Sequence, residues 1–268
     1  RPARQLDHLQ RRNLQLSELR AELGFENFRT TSDTEVILVA YRKWGPECVN
    51  HFRGMFAFAL WDDANQTLFC ARDRYGIKPF YYTVAGNIFY FASEIKALLP
   101  FIDRIETDLE GLKDYLAFQF CLAGKTLFKG VGELLPGHTL QISQGQVKTQ
   151  RYWEVYFEPD FNHTARYFQE KLRALLLESV ELHLRSDVPL GAYISGGLDS
   201  STVASLAHQY HQGELIGFTG KFSSFGREFD ESIYTRALTD DCGFHMNEID
   251  ITSADLMQDM RKGIYHRA

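Results

Sequence analysis

The stretch Ser195-Gly196-Gly197-Leu198-Asp199-Ser200-Ser201 gathers small, hydroxylic and acidic residues between an apolar run at 190–194 and a helical pattern at 200–210. A buried strand feeding a glycine turn and then a helix makes a place for an anion. Glycines at 196 and 197 can take positive φ and bring bare backbone N–H groups close to a ligand. Ser195, Ser200 and Ser201 add hydroxyl donors at a helix N-terminus, whose dipole favours negative charge. A pyrophosphate group fits these donors. Asp199 is the odd member, because a carboxylate beside phosphate oxygens is repulsive unless a divalent cation lies between them. Mg²⁺, held by oxygen ligands and substrate phosphates, is the ion expected there. The plainer reading of the same residues is a glycine turn capped by serines, which needs no ligand.

Two other phosphate loops are excluded. Gly124-Lys125-Thr126 imitates the end of a Walker A loop, but Gln119 stands where its first glycine belongs, and no G-x-G-x-x-G follows a strand. Gly124-Lys125 is expected to be an ordinary surface turn.

The elements that must hold these residues fall into two patterns. Residues 33–45 carry Val36, Ile37, Ala40, Tyr41 and Trp44 at helical spacing, with Asp33 or Thr34 as cap and Gly45-Pro46 as stop. From Gly54 the period becomes two. Residues 55–61, 67–71, 80–84 and 88–92 are strand-like runs rich in aromatics, broken by Asp62-Asp63-Ala64-Asn65 and Gly86-Asn87, which predicts antiparallel hairpins. Phe56, Phe58, Phe89 and Phe91 are expected in their core. A helix at 109–118 follows, then a hairpin of 139–143 and 147–153 across Gln144-Gly145-Gln146.

After Glu158-Pro159-Asp160 the pattern changes. A long amphipathic helix carries Phe168, Leu172, Leu175, Leu176 and Val180 on one face. Strands at 190–194, 215–219 and 246–251 then alternate with helices at 200–210 and 231–239, as right-handed crossovers and a parallel sheet require. Thr252 and Asp255 have capping-box spacing for a last helix. The expected class is α+β over residues 1–157, then α/β over 158–268.

The 268 residues include 29 Lys plus Arg against 35 Asp plus Glu, a net charge of −6. With no basic run to neutralise phosphates, nucleic acid and anionic membranes are excluded as main partners. No stretch is long and apolar enough to span a bilayer, and the segment from Arg1 has no apolar signal, so a cytoplasmic protein is expected. Cys48, Cys70, Cys121 and Cys242 are widely spaced, and reduced, buried thiols are expected.

Ser195–Ser201 resembles the pyrophosphate-binding loop of the ATP pyrophosphatase (PP-loop) families, and the chain as a whole resembles the glutamine-hydrolysing asparagine synthetases. The residues that carry the resemblance run in family order. They include Ser32-Asp33-Thr34-Glu35, Gly54-Met55-Phe56-Ala57-Phe58, Ala71-Arg72-Asp73-Arg74-Tyr75-Gly76-Ile77-Lys78-Pro79, Phe91-Ala92-Ser93-Glu94-Ile95-Lys96, Leu135-Pro136-Gly137-His138, Arg151-Tyr152-Trp153 and Ser186-Asp187-Val188-Pro189. The resemblance implies an incomplete antiparallel αββα sandwich of Ntn-hydrolase type over 1–157, a class II glutamine amidotransferase domain. It implies an incomplete PP-loop α/β domain over 158–268, the N-terminal part of the synthetase. The chain reads as a fragment truncated at both ends.

By the same resemblance the protein joins aspartate to AMP, releases pyrophosphate, and lets ammonia from glutamine displace AMP. Ser195, Gly196, Gly197, Asp199, Ser200 and Ser201 would hold the pyrophosphate side of ATP, with Mg²⁺ reaching Asp199 through the nucleotide. Tyr193, Ile194, Thr219 and Gly220 would line the adenosine, although the family usually has an aliphatic residue where Gly220 stands. Asp33 would bind the glutamine amino group; its plainer reading is a helix cap. The family's glutaminase nucleophile is an N-terminal cysteine, and no residue here is assigned that catalytic role. Arg72, Asp73, Arg74 and Lys78 would line an ammonia route or a domain interface, or form a solvated loop. Asp230 and Glu231 read as a cap and a dipole partner. Aspartate, glutamine and ATP are the expected partners, and a homodimer is compatible with the resemblance. Two alternatives stand beside it: a paralogue acting on another carboxylate, and a degenerate interaction module.

Overall fold

The computed structural model describes residues 8–13, 16–186, 188–211, 213, 215–226, 230–243 and 245–267. The chain divides into two compact units between Phe157 and Glu158.

In the first unit a five-stranded antiparallel sheet has the order β1 (His8–Asn13), β2 (Gly54–Asp62), β3 (Thr67–Arg72), β7 (His138–Ser143), β8 (Gln146–Arg151). A three-stranded antiparallel sheet has the order β5 (Ile88–Ala92), β4 (Tyr81–Ala85), β6 (Val131–Glu133). Alternation along β2 decides the layering. Phe56, Phe58 and Leu60 point with Phe69 and Ala71 toward α1 (Leu16–Leu23) and α2 (Asp33–Trp44), where they bury against Leu19, Leu23, Val36, Ile37 and Ala40. Ala57 and Ala59, on the opposite face with Cys70 and Leu140, meet Phe80 and Leu134, with Phe89 and Phe91 alongside. The far side of the small sheet is covered at Ala92, Ile95, Leu98 and Val131, partly by the short helical turns Ile95–Ala97 and Leu99–Phe101. The layers are thus helix, sheet, sheet and helical turns.

Local details differ from expectation. Ser32, not Asp33 or Thr34, caps α2, its hydroxyl accepting from the Thr34 N–H at 3.3 Å. An Asp at the first helical position is the lesser signal when a Ser precedes it. The β7–β8 turn has two residues, Gln144 (φ 51°) and Gly145 (φ 75°), because Gln146 already pairs with Ser143. Two consecutive positive φ values are what right-handed strand twist asks of a two-residue hairpin. Strands β1 and β6 and helix α1 have no counterpart in the sequence reading. The helix α3 (Leu109–Phe118) lies where the pattern put it, with Asp108 accepting from the Gly111 N–H at 2.8 Å.

In the second unit β9 (Gly191–Tyr193), β10 (Ile216–Lys221) and β11 (His245–Asp250) form a parallel sheet in that order. Helix α4 (Ala165–His183) packs through Leu176 and Val180 against Ala207 and Leu206 of α5 (Leu198–Tyr210). Phe168, Leu172 and Leu175 of the expected apolar face are exposed, so only the later turns of α4 are buried. Ile194 and Ala204 form a second cluster with Leu238 and Cys242 of α6 (Ser232–Cys242) and Met246 of β11. The capping box is present at α7 (Ser253–Arg267): Asp255 accepts from the Thr252 N–H and hydroxyl at 3.0 and 2.7 Å, and its own N–H donates to Thr252 Oγ1 at 3.2 Å.

Candidate functional site

The serine–glycine loop leaves the carboxyl end of β9, the end of a parallel strand where α/β sheets bind ligands. Ile194 anchors it, with its side chain buried and its N–H donating to the Phe218 carbonyl at 2.9 Å. The next residues turn through one left-handed position, Gly196 (φ 83°). Gly197 departs from expectation: at φ −72°, ψ 161° it is an extended N-cap to α5, a conformation open to any residue. Backbone strain therefore does not require a glycine there. A Cβ built there meets only Ser195 Oγ, at 3.4 Å, and otherwise open surroundings.

Two hydroxyls tie the loop together. Ser195 Oγ and Ser200 Oγ lie 3.1 Å apart, the Ser195 N–H donates to Ser200 Oγ at 3.2 Å, and Ser200 Oγ donates to the Gly197 carbonyl at 3.2 Å. The Gly197 N–H donates to Ser195 Oγ at 3.4 Å. The Ser201 N–H is the first to find its helical acceptor, Gly197 O, at 3.1 Å. The N–H groups of Leu198, Asp199 and Ser200 are in the helix's opening turn, which has no intrahelical acceptors, and an anion at that end meets both donors and dipole. Asp199 is exposed on that turn. Among the described residues no group of three or more His, Cys, Asp or Glu side chains could hold a metal ion unaided. One exposed carboxylate beside an anion cradle instead fits Mg²⁺ carried on phosphates, which needs only one or two protein carboxylates.

The structure brings the loop and the expected adenosine side into one strand-end neighbourhood, through different parts of each residue. Tyr193 is 90% exposed, its ring 6.1 Å from that of Phe218, and is free to meet a flat ligand. The Ile194 side chain belongs to the core, so only its backbone can line a site. Thr219 is buried and Gly220 exposed on β10, paired with Glu248 and Ile249. A Cβ at Gly220 would come within 3.1 Å of Ile251 Cδ1, the tip of a side chain that would have to shift by a few tenths of an ångström.

A polar network at the same strand ends escaped the sequence reading. Asp250, ending β11, accepts from Ser223 Oγ at 2.5 Å and the Ser223 N–H at 3.2 Å, and lies 3.8 Å from Lys221 Nζ. Arg236 grips Glu248 bidentately at 2.7 and 2.6 Å. These contacts lower the Glu248 and Asp250 carboxyls below their usual range, through Arg236 and Ser223 respectively. Partners 12 and 27 residues apart show no local spacing signal.

In the first unit Asp33 stands half-buried at the start of α2. The segment before it is fixed: Glu35 accepts from the Arg29 and Thr30 N–H groups at 2.8 and 2.6 Å and from Thr30 Oγ1 at 2.7 Å, while Arg20 donates to the Thr30 and Ser32 carbonyls. A cleft of about 460 Å³ lined by Tyr41, Arg42, Trp61 and Asp62 lies at the opposite end of α2. That is about 13 Å along the helix from Asp33. The Asp62 carboxylate in that cleft is already engaged by Asn65, Ala64 and Tyr41.

In the charged loop after β3, Tyr75 and Ile77 are exposed and Lys78 is half-buried, but Arg72 and Asp73 are buried. Asp73 is 1% exposed and accepts from the Phe56, Tyr75, Ile77 and Lys78 N–H groups at 3.0–3.2 Å. Arg72 is buried too, donating to the Lys78, Leu134 and Gly76 carbonyls and pairing with Glu133 at 2.7 Å. Arg74 donates to the Phe52 and Asn50 carbonyls. Their chemistry is spent on folding the loop. Gly124-Lys125-Thr126 is likewise a built turn, with Lys125 paired to Asp114 at 2.6 Å and Thr126 buried, donating to the Val131 and Phe128 carbonyls. Burial pushes the Cys48 thiol up to about 12 and raises Cys70 further, while Cys121 and Cys242 are only half-buried.

A parallel sheet with an anion-ready loop, following an antiparallel two-sheet unit, defines a two-part α/β protein, and sequence comparison gives that class a family. A glutamine amidotransferase domain model matches residues 14–153 and an asparagine synthase model matches residues 171–268. The chain is 36% identical over 252 residues to glutamine-hydrolyzing asparagine synthetase 1 of Bacillus subtilis, covering 93% of this chain and 39% of that protein. It is 38% identical over 214 residues to amidase chyE of Penicillium rubens, covering 76% of this chain and 31% of that protein. The chain belongs to the asparagine synthetase family. It spans between about a third and two fifths of the length of these curated relatives. Among solved structures, a B. subtilis glutamine phosphoribosylpyrophosphate amidotransferase complexed with ADP and GMP aligns over 95% of this chain and 71% of that one. Its TM-score of 0.41 at 12% identity is too low to carry an argument.

Proposed function

We propose that this chain is part of an ATP-dependent, glutamine-hydrolysing amide ligase that makes asparagine from aspartate. Residues 1–157 would supply ammonia from glutamine, with Asp33 holding the substrate's amino group, and residues 158–268 would begin the ATP-cleaving half. The observation that carries the reading is the Ser195–Ser200 hydroxyl-tied loop at the strand end, opening onto the first turn of α5.

A carboxylate is a poor electrophile, so it must first be activated. An aspartate side-chain oxygen attacks the α-phosphorus of ATP and the bridging bond breaks, its electron pair leaving with pyrophosphate. Ammonia then adds to the acyl carbon, loses a proton, and AMP departs with the carboxyl oxygen. The loop's part is to hold the pyrophosphate side by N–H groups and hydroxyls and to stabilise charge as the bond breaks. Asp199 would hold Mg²⁺ carried on the nucleotide, which would supply charge neutralisation at the phosphates. A cytoplasmic location suits these substrates, and no described helix is long and apolar enough to cross a membrane.

A second reading is favoured by one finding: relatives named amidases are about as similar as relatives named synthetases. On that reading the nucleotide chemistry stays and the acceptor is another carboxylate. One experiment separates these outcomes. The protein containing this chain is assayed with ATP, glutamine and aspartate, and Asp199→Asn is expected to cut synthesis far more than glutamine hydrolysis. ADP and phosphate as products would refute the chemistry; AMP and pyrophosphate formed only with a different carboxylate would move the protein to the second reading.

A further inference from the structure

Gly196, the loop's one left-handed residue, is pressed by the start of α6. A Cβ placed on it would lie 3.0 Å from the Glu231 carbonyl, 3.3 Å from Glu231 Cβ and 3.2 Å from Tyr234 Cβ. The first turn of α6 is therefore the wall against which the loop takes its shape. What holds that turn differs from what holds the rest of the helix. The later residues Leu238 and Cys242 pack into the cluster around Ile194 and Ala204. At the start, Ile233 and Tyr234 are exposed, and the buried residues are Ser232 and Thr235, with Thr235 Oγ1 donating to the Ser232 carbonyl at 2.9 Å.

Polar contacts add to that burial. Asp230 Oδ1 accepts from the Ser232 N–H at 3.1 Å, and Arg236 holds Glu248 of β11 through two bonds of 2.7 and 2.6 Å. A bidentate guanidinium–carboxylate pair fixes angle as well as distance. Both side chains are partly exposed, 54% for Arg236 and 24% for Glu248, so the pair is worth little to folding. The Asp230 carboxyl is held below the usual range by its Ser232 contacts, with Lys221 and Arg236 adding to the effect.

The N-cap of α6 is Glu231 and not Asp230, which lies one residue before it. We propose that the Arg236–Glu248 pair and Asp230, through its contact with Ser232, are positioning residues for the phosphate loop, acting through the contact of α6 with Gly196. The inference rests on the reading of residues 195–201 as an ATP site and adds residues that lie outside that loop. A pair so mounted sets how the loop's donors are aimed, and misplaced donors lose the phosphates before they lose the base.

The test is calorimetric titration of Mg-ATP, pyrophosphate and adenosine into the protein containing this chain and its Arg236→Gln, Glu248→Gln and doubly substituted variants, each checked for unchanged circular dichroism. Positioning requires both single changes to weaken pyrophosphate and Mg-ATP by roughly tenfold, the double change to be no worse than either alone, and adenosine to be unaffected. Long-range charge alone predicts opposite signs, with Glu248→Gln tightening anion binding; that result overturns the proposal. So does an equal loss of adenosine and pyrophosphate, which marks general loosening. The milder Arg236→Lys keeps the charge and loses the fork, and affinity equal to that of the parent protein in this variant also overturns it. A parent protein that binds Mg-ATP while every variant binds equally well sinks this inference alone, whereas no binding by the parent protein sinks the ATP reading and this inference with it.

Discussion

Replacing Gly196 and Gly197 separately by alanine separates folding from binding at the candidate ATP site. Gly196 sits at φ 83°, where an L-residue is strained by about 1–2 kcal/mol. Its new Cβ would also press the Glu231 carbonyl at 3.0 Å. A total near 2 kcal/mol, at roughly 4–8 °C per kcal/mol for a small domain, lowers the melting temperature of the second unit by about 8–16 °C. Gly197 is extended, and its Cβ would meet only Ser195 Oγ at ordinary contact distance. Alanine there weakens the N-cap by about 0.5–1 kcal/mol, offset by about 0.4–1 kcal/mol of lost freedom in the unfolded chain. The melting temperature should therefore move by only a few degrees. Mg-ATP affinity should nevertheless fall about tenfold in Gly197→Ala and further in Gly197→Val, because a methyl group then occupies the side from which phosphate approaches the N–H groups. Thermal melting followed by circular dichroism, with calorimetric titration at a temperature where every variant is folded, reads both quantities. Folded Gly197→Val that binds Mg-ATP as tightly as the parent chain would refute the assignment of the loop.

The buried Asp73 carboxylate serves four backbone N–H groups, so Asp73→Ala should destabilise the first unit by about 3–5 kcal/mol; a loss under 1 kcal/mol in denaturant melts would contradict its role. Cys48 and Cys70 should resist thiol reagents in the native state and react on unfolding, since burial raises both pKa values; rapid labelling of either in folded protein would count against this core. The 268-residue chain should release no glutamate from glutamine through its four thiols, and turnover abolished by mutating any one of them would contradict that. Asp230, Glu248, Asp250 and Asp255 have lowered pKa values, so the unfolded second unit binds more protons than the folded one below the ordinary carboxylate range. Stability from these groups is fully present above about pH 5 and is lost as pH falls through 4 and below; melts that are flat from pH 6 to 3 would refute the network.

The parts of the molecule legible in the sequence are those whose cause is local. The period of two along β2 follows from one face meeting α2 and the other meeting the small sheet, and both faces are written in consecutive residues from Met55 to Trp61. The capping box at Thr252 and the strand–glycine–helix junction at Ser195 are local in the same sense. What stayed hidden depends on pairs far apart in the chain. Arg72 and Asp73 look like a solvated charged loop until Leu134 and Phe56 arrive from other strands to use their hydrogen-bonding capacity. Phe168, Leu172 and Leu175 repeat at helical spacing as faithfully as Leu176 and Val180, yet only the latter meet α5.

The candidate site shows the same division at the scale of one loop. The sequence offers two adjacent glycines of equal standing, and only the fold assigns them different duties. Gly196 is required by backbone conformation and by the α6 wall 35 residues further on, while Gly197 is spared both constraints. An extended glycine in open surroundings, beside donors that the opening turn of α5 leaves without helical acceptors, leaves room for a group to approach from outside the chain. Gly197 is also the N-cap of α5, where glycine is among the favoured residues, so the plain helix-cap reading of the second glycine and the anion reading both remain compatible with the fold.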